Sequence, residues 1–418
     1  MIFEKDPRQQ HPASVATAYF SSSTGRVFSI LNDPSSWGQS RTPRVASATS
    51  PSKVVLTFDG IERATVTTSS WRTDFCQLEV VLDGFMDEVA KAELESYWVN
   101  VWQMLVNRLG GRACVVASSP SKVNVFFAVG SFLKDGFHEV ASCYQALSLR
   151  EVLSVELEGR FSIEFAGPFA ALSQSTVPTD ASNLVYKAGL ALKDLNPKVS
   201  PDLVAFVIHK SVPIAGGMAG GSADGAAALL ALDKLFDAGL EATLNTAAAK
   251  LGSDVPFSLQ GGTAIGTGRG EKLSKIETGA ILHWVMTPSL AGLSTPDVYR
   301  KLDIMRTESG VDVSTLEKPD VPAELVAALI SGDALEVAHY MHNDLEIAAL
   351  ALRPELAETI EAGRKAGALK SMVSGSGPTI AHLAKDRIHA EQIVNRLGAA
   401  GLPSIATYTS ISGTRLEN

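Results

Sequence analysis

The sequence predicts an α+β protein with more than one domain, and three observations carry that prediction. The chain has 418 residues, which at roughly 150 residues per domain indicates two or three domains. Four of its five tryptophans lie in the first 110 residues, so the composition changes along the chain. Short strand-like runs are mixed with helical runs in both parts of the chain, as expected for an α+β protein.

The composition excludes several classes of protein. Hydrophobic residues make up 45% and charged residues 19%, which is typical of a globular protein and not of a disordered one. No apolar run is long enough for a spanning helix, and the N-terminus lacks a secretory signal pattern. A net charge of −9 without a Lys/Arg-rich block argues against nucleic-acid and membrane partners. The three cysteines (Cys76, Cys114 and Cys143) form neither a disulfide framework nor a zinc pattern, which favours a cytoplasmic location.

Residues 1–110 are predicted to form a small α+β domain. A short helix is expected at 26–31, before the turn residues Asn32, Asp33 and Pro34. Strands are expected at 54–58 and 64–68, around an Asp59-Gly60 turn, and again at 77–82. A long helix is expected from Asp87 to Leu109, because apolar residues recur there every three to five positions. Those residues are Val89, Leu94, Trp98, Trp102, Leu105 and Leu109, and the Gly110-Gly111 pair that follows indicates a domain boundary.

Two short stretches of this segment, VFSILNDPSSW and YWVNVWQML, resemble the START-like helix-grip fold. The similarity is to its chaperone-ATPase-activator-homologue type, in which a curved antiparallel sheet wraps a long C-terminal helix. Trp98 and Trp102 lie one helical turn apart and admit two interpretations, a packed core or an aromatic ligand cage. We favour the core, because an aromatic stripe at helical spacing usually faces a sheet.

The second part of the chain contains a glycine-rich stretch from Pro213 to Gly225, between a strand-like run at 203–210 and a helical run at 226–236. This order predicts a phosphate cradle, because glycines allow unusual backbone turns and a helix N-terminus offers free N–H groups. Ser222 is expected to cap that helix and to reach a phosphate or Mg²⁺. A branched side chain at Gly220 is expected to fill the phosphate space. The spacing matches neither a Walker A loop nor a dinucleotide fingerprint.

Four further stretches are individually ambiguous. Lys122, within 119–125, could be a solvated edge lysine, and the segment 134–139 contains an ordinary Asp-Gly turn. Asp254, within 250–257, could be a cap or turn residue. The Gly/Ser segment at 373–380 could be a plain hairpin connection. Each stretch has a structural explanation when it is considered alone.

In their order along the chain, these stretches resemble the GHMP small-molecule kinases. The matching segments are PSKVNVFF, KDGFHEVASCYQALSL, PIAGGMAGGSADGAAALLALD, LGSDVPF, NDLE and SGSGPTIA. Within that superfamily they are most similar to the kinases of 4-diphosphocytidyl-2-C-methyl-D-erythritol. The resemblance implies transfer of the γ-phosphate of ATP to the 2-hydroxyl of that substrate, a step of the non-mevalonate route to isopentenyl diphosphate. It also implies a ribosomal-protein-S5-like half at 111–280 and a ferredoxin-like half at 281–418, following the START-like domain.

The resemblance assigns roles residue by residue. It implies that Asp254 deprotonates the acceptor hydroxyl and that Lys122 keeps Asp254 ionised. Phe137 and His138 correspond to the clamp on cytosine, Tyr299 is a candidate for the opposite stacking face, and Asn124 and Asp135 are weaker candidates for substrate contacts. Mg²⁺ is expected with ATP, with Ser222 as a weak candidate ligand. The ATP phosphates are expected to contact Pro213, Ile214, Ala215, Gly216, Gly217, Met218, Ala219, Gly220, Gly221, Ser222 and Ala223.

Some positions depart from the family pattern, and alternatives remain open. The family more often has Ala at Ser121, Tyr at Phe137, and Ser-Ser or Ser-Asn at Ala223-Asp224. A carboxylate at Asp224 would weaken ATP binding unless it points away from the phosphates or helps to hold Mg²⁺. The chain could instead phosphorylate another small alcohol, such as homoserine or a mevalonate derivative. It could also be a kinase-derived binding protein whose START-like domain carries the function, and a monomer and a homodimer are both compatible with the sequence.

Overall fold

A computed structural model describes residues 4–5, 14–20, 23–39, 41–58, 62–72, 75–85, 87–109, 114–132, 136–214, 216–278, 280–289 and 292–417. The elements described up to residue 109 are β1 (Glu4–Lys5), β2 (Ser14–Phe20), α1 (Thr24–Leu31), β3 (Arg44–Thr49), β4 (Lys53–Thr57), β5 (Arg63–Arg72), β6 (Phe75–Asp83) and α2 (Glu88–Leu109). The predicted helices and strands of this segment are therefore confirmed. The Asp59-Gly60 turn and the Gly110-Gly111 pair lie outside the described residues.

The N-terminal segment, residues 4–109, contains a six-stranded antiparallel sheet in the order β1-β2-β6-β5-β4-β3. Alternate residues of β4, β5 and β6 are buried, and they share one core with α1 and α2. α2 buries Leu94, Trp98, Val101 and Leu105, a spacing of three and four residues that places them on one helix face. Trp98 is fully buried and meets Trp37 edge to face at 6.0 Å, so the core interpretation holds for this residue.

Part of the apolar face predicted for α2 is wrong. Val89 is 67% exposed. It precedes Leu94 by five residues, which at about 100° per residue turns it roughly 140° away from the buried face. The side chains of Trp102 and Leu109 lie outside the described residues.

The main segment, residues 114–417, carries two sheets. Its described elements are β7 (Cys114–Phe132), β8 (His138–Leu157), β9 (Ser162–Ala166), α3 (Ala170–Thr176), α4 (Leu184–Lys193), β10 (Val204–His209), α5 (Gly220–Phe236), α6 (Leu244–Leu251), α7 (Val255–Gln260), β11 (Thr263–Thr267), β12 (Lys272–Ile276), β13 (His283–Thr287), α8 (Thr295–Glu308), α9 (Ala323–Ser331), α10 (Ala334–Tyr340), β14 (His342–Asn343), α11 (Glu346–Leu352), α12 (Glu355–Lys365), β15 (Lys370–Val373), β16 (Ile380–Ala384), α13 (Arg387–Ala399), β17 (Ile405–Tyr408) and β18 (Arg415–Leu416).

The first sheet has eight strands and is organised around the long antiparallel pair β7–β8. The first half of β8 pairs with β11 and its second half pairs with β10, while β9 runs parallel to β10. α4, α5 and α6 share a core with β8 and β10. α5 also packs against β7 and β8, and the glycine-rich stretch leads from β10 into this helix.

The second sheet has four antiparallel strands in the order β15-β16-β13-β17, packed against α12 and α13. With strands β13, β15, β16 and β17 taken in chain order, this is the arrangement of a ferredoxin-like βαββαβ unit. The two predicted halves nevertheless interlock, because β14 and β18 from 281–418 pair with β7. One core also joins Val123 and Leu147 to Trp284 and Met286. None of the helices in the described ranges is both long and apolar enough to cross a membrane.

Candidate active site

The glycine-rich loop connects β10 to α5, as the sequence predicts, and turns sharply just before the helix. Gly217 has a φ of +68°, and Ala219, with φ +59° and ψ +30°, is the N-cap of α5. Left-handed backbone is unusual for alanine. The expectation that Ser222 caps the helix is wrong, because the left-handed turn at Ala219 starts the helix at Gly220. Ser222 is the third helical residue, in the turn whose backbone N–H groups have no intrahelical acceptor.

The loop borders a cavity of about 520 Å³, called the loop cavity below. From the predicted nucleotide-binding stretch it is lined by Pro213, Ile214, Gly216, Gly217, Ala219, Gly220, Gly221 and Ser222. Met218 and Ala223 are buried and are not among the residues that line this cavity. The Met218 carbonyl accepts a hydrogen bond from the Lys122 N–H at 3.1 Å, which ties the loop to β7. Ala215 lies outside the described residues.

Lys122 and Asp254 meet in the loop cavity, although they are far apart in sequence. The Lys122 Nζ lies 3.9 Å from the Asp254 Oδ2, and the two side chains are 7% and 30% exposed. Lys122 Nζ donates to Asn124 Oδ1 at 2.5 Å, and Asn124 Nδ2 donates to Ser142 Oγ at 2.8 Å. Burial lowers the pKa of Lys122, and the nearby Asp254 carboxylate acts in the opposite direction. The pair thus combines a fixed, buried cation with a carboxylate that faces the cavity.

The loop between β15 and β16 closes another side of this cavity. Asn343 Nδ2 donates to the carbonyls of Val373, at 2.8 Å, and Gly375, at 2.7 Å. A Cβ at Gly375 would lie 2.9 Å from Asn124 Oδ1, so only glycine allows this close approach. Asn343 therefore holds the Gly/Ser loop against the Lys122 region. Asn343 belongs to the NDLE motif, which resembles the family pattern but does not by itself indicate this role.

A second lysine–carboxylate cluster lies beneath the first turn of α5. Lys210 Nζ lies 2.6 Å from Glu151 Oε1 and 2.8 Å from Asp224 Oδ2, and all three side chains are almost completely buried. Burial and, after it, the Asp224 charge raise the pKa of Glu151 to about 8, against the effect of Lys210. Burial alone would lower the pKa of Lys210, but the two carboxylates raise it. One oxygen of Asp224 is thus paired with Lys210, but Asp224 also lines the loop cavity, so its effect on ATP binding stays a prediction.

A neighbouring cavity of about 690 Å³, called the aromatic cavity, contains the predicted base clamp. Phe137, His138 and Tyr299 all line it, and Phe137 is 55% exposed, unlike an aromatic residue of a core. The His138 ring stacks on Tyr299 at 4.9 Å and lies 4.1 Å from Phe132. Its Nε2 lies 3.0 Å from Asp303 Oδ1, a contact within hydrogen-bonding distance. Asp135 lies outside the described residues.

Sequence reasoning missed two residues at these cavities. Asp303, on α8, lies within hydrogen-bonding distance of His138. The signal in the sequence is its position four residues after Tyr299, which places both on one face of the helix. Arg269 lies in the β11–β12 turn and borders both cavities. The Gly-Arg-Gly sequence at 268–270 could have drawn attention to it, because an arginine between two glycines at a hairpin tip is readily exposed to a ligand.

Two family models match the main segment. Residues 183–262 match the GHMP kinases N terminal domain, and residues 325–402 match GHMP kinases C terminal. The N-terminal match contains the glycine-rich loop and Asp254, and the C-terminal match contains Asn343 and the Gly/Ser loop.

Named relatives are similar over most of their own length. The 4-diphosphocytidyl-2-C-methyl-D-erythritol kinase of Nocardia farcinica is 45% identical over 289 residues, which span 69% of this chain and 91% of that protein. The kinase of the same name from Streptomyces avermitilis is 46% identical over 288 residues, or 69% of this chain and 93% of that protein.

Solved structures show the same fold. A crystal structure of 4-(cytidine 5'-diphospho)-2C-methyl-D-erythritol kinase covers 71% of this chain and 99% of its own, at 30% identity and a TM-score of 0.56. The crystal structure of the L. major mevalonate kinase is 18% identical, with a TM-score of 0.55, and the match covers 71% of this chain and 96% of that one. This is a likeness of fold alone. The identity and coverage of the named relatives confirm the family expected from the ordered motifs. The chain belongs to the 4-diphosphocytidyl-2-C-methyl-D-erythritol kinase family of the GHMP kinases.

Proposed function

We propose that the chain transfers the γ-phosphate of ATP to the 2-hydroxyl of 4-diphosphocytidyl-2-C-methyl-D-erythritol, as a step of isopentenyl diphosphate biosynthesis. The observation that carries the proposal is the position of the Lys122–Asp254 pair in a cavity that adjoins the aromatic cavity. Both cavities are lined by Ser253, Thr295 and Tyr299, so one elongated substrate can occupy the two spaces. The names of the relatives support the same acceptor.

The residues around the glycine-rich loop fit the phosphates of ATP. Backbone N–H groups at the start of α5 and the positive end of the helix dipole favour bound phosphate. Ser222 is placed to hold Mg²⁺ or a phosphate oxygen, and Asp224 Oδ1, which is buried without a hydrogen-bond partner, is a second oxygen at this wall. When bound, ATP supplies the phosphoryl group and Mg²⁺ offsets its charge.

Asp254 is proposed to accept the proton of the acceptor hydroxyl at its Oδ2 atom. Lys122, 3.9 Å away, places a positive charge beside this carboxylate and offsets negative charge in the transition state. Asn124 fixes Lys122 Nζ through a 2.5 Å hydrogen bond and is in turn fixed by Ser142. A base held in this way needs little reorganisation when the substrate binds.

The cytidyl end of the substrate is assigned to the aromatic cavity. Phe137 offers an exposed ring for stacking, Tyr299 offers a second aromatic wall, and His138 offers an edge hydrogen bond to the base. Asp303 fixes the His138 ring through Nε2, so the orientation of the imidazole is defined before the base arrives.

The test is a coupled assay of ATP consumption with three acceptors: 4-diphosphocytidyl-2-C-methyl-D-erythritol, mevalonate and homoserine. We expect turnover with the first acceptor and none above background with the others. Turnover with mevalonate or homoserine instead would favour the alternative GHMP kinase function. An absence of turnover with all three would contradict the proposal.

The N-terminal segment is proposed to be a separate helix-grip domain of the START-like type, with the boundary near residue 110. The support is its own core, which joins the six-stranded sheet to α2 without residues beyond 105 among those described. A truncated chain that begins at Leu109 should remain soluble and retain phosphoryl transfer, with the full-length protein as the control. An insoluble or inactive product would show that the segment belongs to the structural unit of the kinase. A truncated chain that keeps phosphoryl transfer but no longer binds a ligand of the full-length protein would support a binding role for this segment.

A further inference from the structure

The two cavities meet at Arg269, which lies in the turn that connects β11 to β12. Four residues line both cavities, namely Ser253, Arg269, Thr295 and Tyr299, and among them Arg269 carries the positive charge. The other cations of the loop cavity, Lys122 and Lys210, do not line the aromatic cavity. Arg269 therefore lies at the boundary between the two cavities, within reach of a ligand that extends from one to the other.

The backbone of the turn holds Arg269 in a defined position. Gly268 and Gly270 flank it with φ values of +74° and +105°, a conformation that favours glycine. The Gly268 carbonyl accepts a hydrogen bond from Val140 N–H at 2.8 Å, and Arg269 N–H donates to Glu271 Oε2 at 2.8 Å. A Cβ at Gly270 would lie 2.4 Å from the Tyr144 hydroxyl. The turn is thus hydrogen-bonded to Val140 of β8 and lies close to Tyr144 of the same strand.

The guanidinium of Arg269 lies over the Phe137 ring, with its Cζ 5.0 Å from the ring centroid. Phe137 is the residue proposed to stack on the cytosine base. Because Arg269 also lines the loop cavity, a substrate with its base beside Phe137 and its reacting hydroxyl beside Asp254 would bring the groups between them to the boundary where the guanidinium lies. In a cytidyl-diphospho substrate those groups are the two phosphates.

We infer that Arg269 binds the diphosphate of the acceptor substrate and thereby selects acceptors that carry a nucleoside diphosphate. The inference rests on the proposed function, since it assumes that the cytidyl group occupies the aromatic cavity and the reacting hydroxyl faces Asp254. An arginine suits this position because its planar fork pairs with phosphate oxygens through two parallel hydrogen bonds. Acceptors without phosphate, such as homoserine, gain nothing from this contact.

The experiment compares the binding of cytidine and of cytidine diphosphate to the full-length protein in the presence of saturating ADP, by calorimetry. In Arg269→Ala we expect the affinity for cytidine diphosphate to fall about 10- to 100-fold, the size expected for a lost charge-assisted hydrogen bond. Cytidine affinity should change less than about twofold. Arg269→Lys should show an intermediate loss, because it keeps the charge without the fork.

Arg300→Ala is the matched control, because Arg300 lines the aromatic cavity alone and pairs with Asp297 at its surface. It should leave the ratio of the two affinities unchanged. Equal losses for cytidine and cytidine diphosphate in Arg269→Ala would overturn the inference and show that Arg269 only supports Phe137. Unchanged affinities would overturn it as well, with the proposed function intact. A wild-type protein that binds neither ligand would overturn both.

Discussion

The loop cavity is bordered by two lysine–carboxylate clusters that differ in their burial and in the distance between the charged groups. Lys122 and Asp254 are 3.9 Å apart, and Asp254 is 30% exposed. Lys210 lies 2.6 Å and 2.8 Å from its two carboxylates, and all three groups are buried. A carboxylate that must accept a proton from a substrate needs to be accessible to that substrate and must not be tightly paired with a cation. A buried cluster that supports a loop needs a counter-charge in close contact, because a buried charge without one is costly.

The largest effect is expected when the buried cluster of Lys210, Glu151 and Asp224, called the closed cluster below, is broken. Lys210→Met leaves Glu151 and Asp224 buried without their cation, so the free energy of unfolding should fall by about 3 kcal/mol or more. Lys193→Met is the matched control, because Lys193 and Asp202 form a 3.5 Å pair in which both side chains are about half exposed. The control should change stability by less than about 0.5 kcal/mol. Urea denaturation measures both, and equal changes would contradict the structural role of Lys210.

A change in the Lys122–Asp254 pair, called the open cluster, should lower turnover and leave the free energy of unfolding almost unchanged. Asp254→Asn removes the proton acceptor but keeps the shape of the side chain, so turnover should fall by about 10² or more with ATP binding retained. The urea midpoint should stay close to that of the wild type, since Asp254 is partly exposed and its contact with Lys122 is long. Near-normal turnover would exclude Asp254 as the base. A large loss of stability would remove the contrast between the two clusters.

The sequence predicts the parts of this site that are continuous in the chain. The strand, glycine loop and helix at 203–236 follow from local periodicity and turn chemistry, and Lys122 and Asp254 follow from family motifs. The Lys210 cluster does not, because Glu151 lies 59 positions before Lys210 and its burial is a property of the folded sheet. The two-residue strands β14 and β18 also escape prediction, since their pairing depends on a partner far away in the chain.

The closed cluster should also make stability depend on pH. Glu151 has a pKa of about 8 in the folded protein, against an ordinary value of 4.5. The folded state holds this proton more tightly, so its stabilising contribution is complete below pH 4.5 and is lost as pH rises to about 8. The slope contributed by one such group is at most about 1.4 kcal/mol per pH unit. Glu151→Gln cannot titrate, so its free energy of unfolding should decline less than that of the wild type between pH 5 and 8. Parallel curves would show that Glu151 does not titrate in this range.

The smallest effect concerns two adjacent glycines that line the same cavity. A Cβ at Gly220 would lie 3.0 Å from Glu151 Oε1 and 3.4 Å from Val212, whereas a Cβ at Gly221 meets only Leu184 at 3.9 Å. The expectation that a side chain at Gly220 fills the phosphate space is therefore wrong, because its Cβ points toward the closed cluster.

Gly220→Ala should lower the free energy of unfolding by about 1 kcal/mol through overpacking beside Glu151. Gly221→Ala should cause no loss, because alanine favours the helix and has room there. Urea denaturation measures the difference in the free energy of unfolding between the two variants. The Michaelis constant for ATP rises only where the added methyl group faces the bound phosphates, so it shows which side of the helix each methyl group faces. A raised ATP requirement in Gly220→Ala at unchanged stability would contradict the packing described for α5. A lower stability of Gly220→Ala at an unchanged Michaelis constant for ATP would confirm that the closed cluster, and not the bound phosphate, limits the size of residue 220.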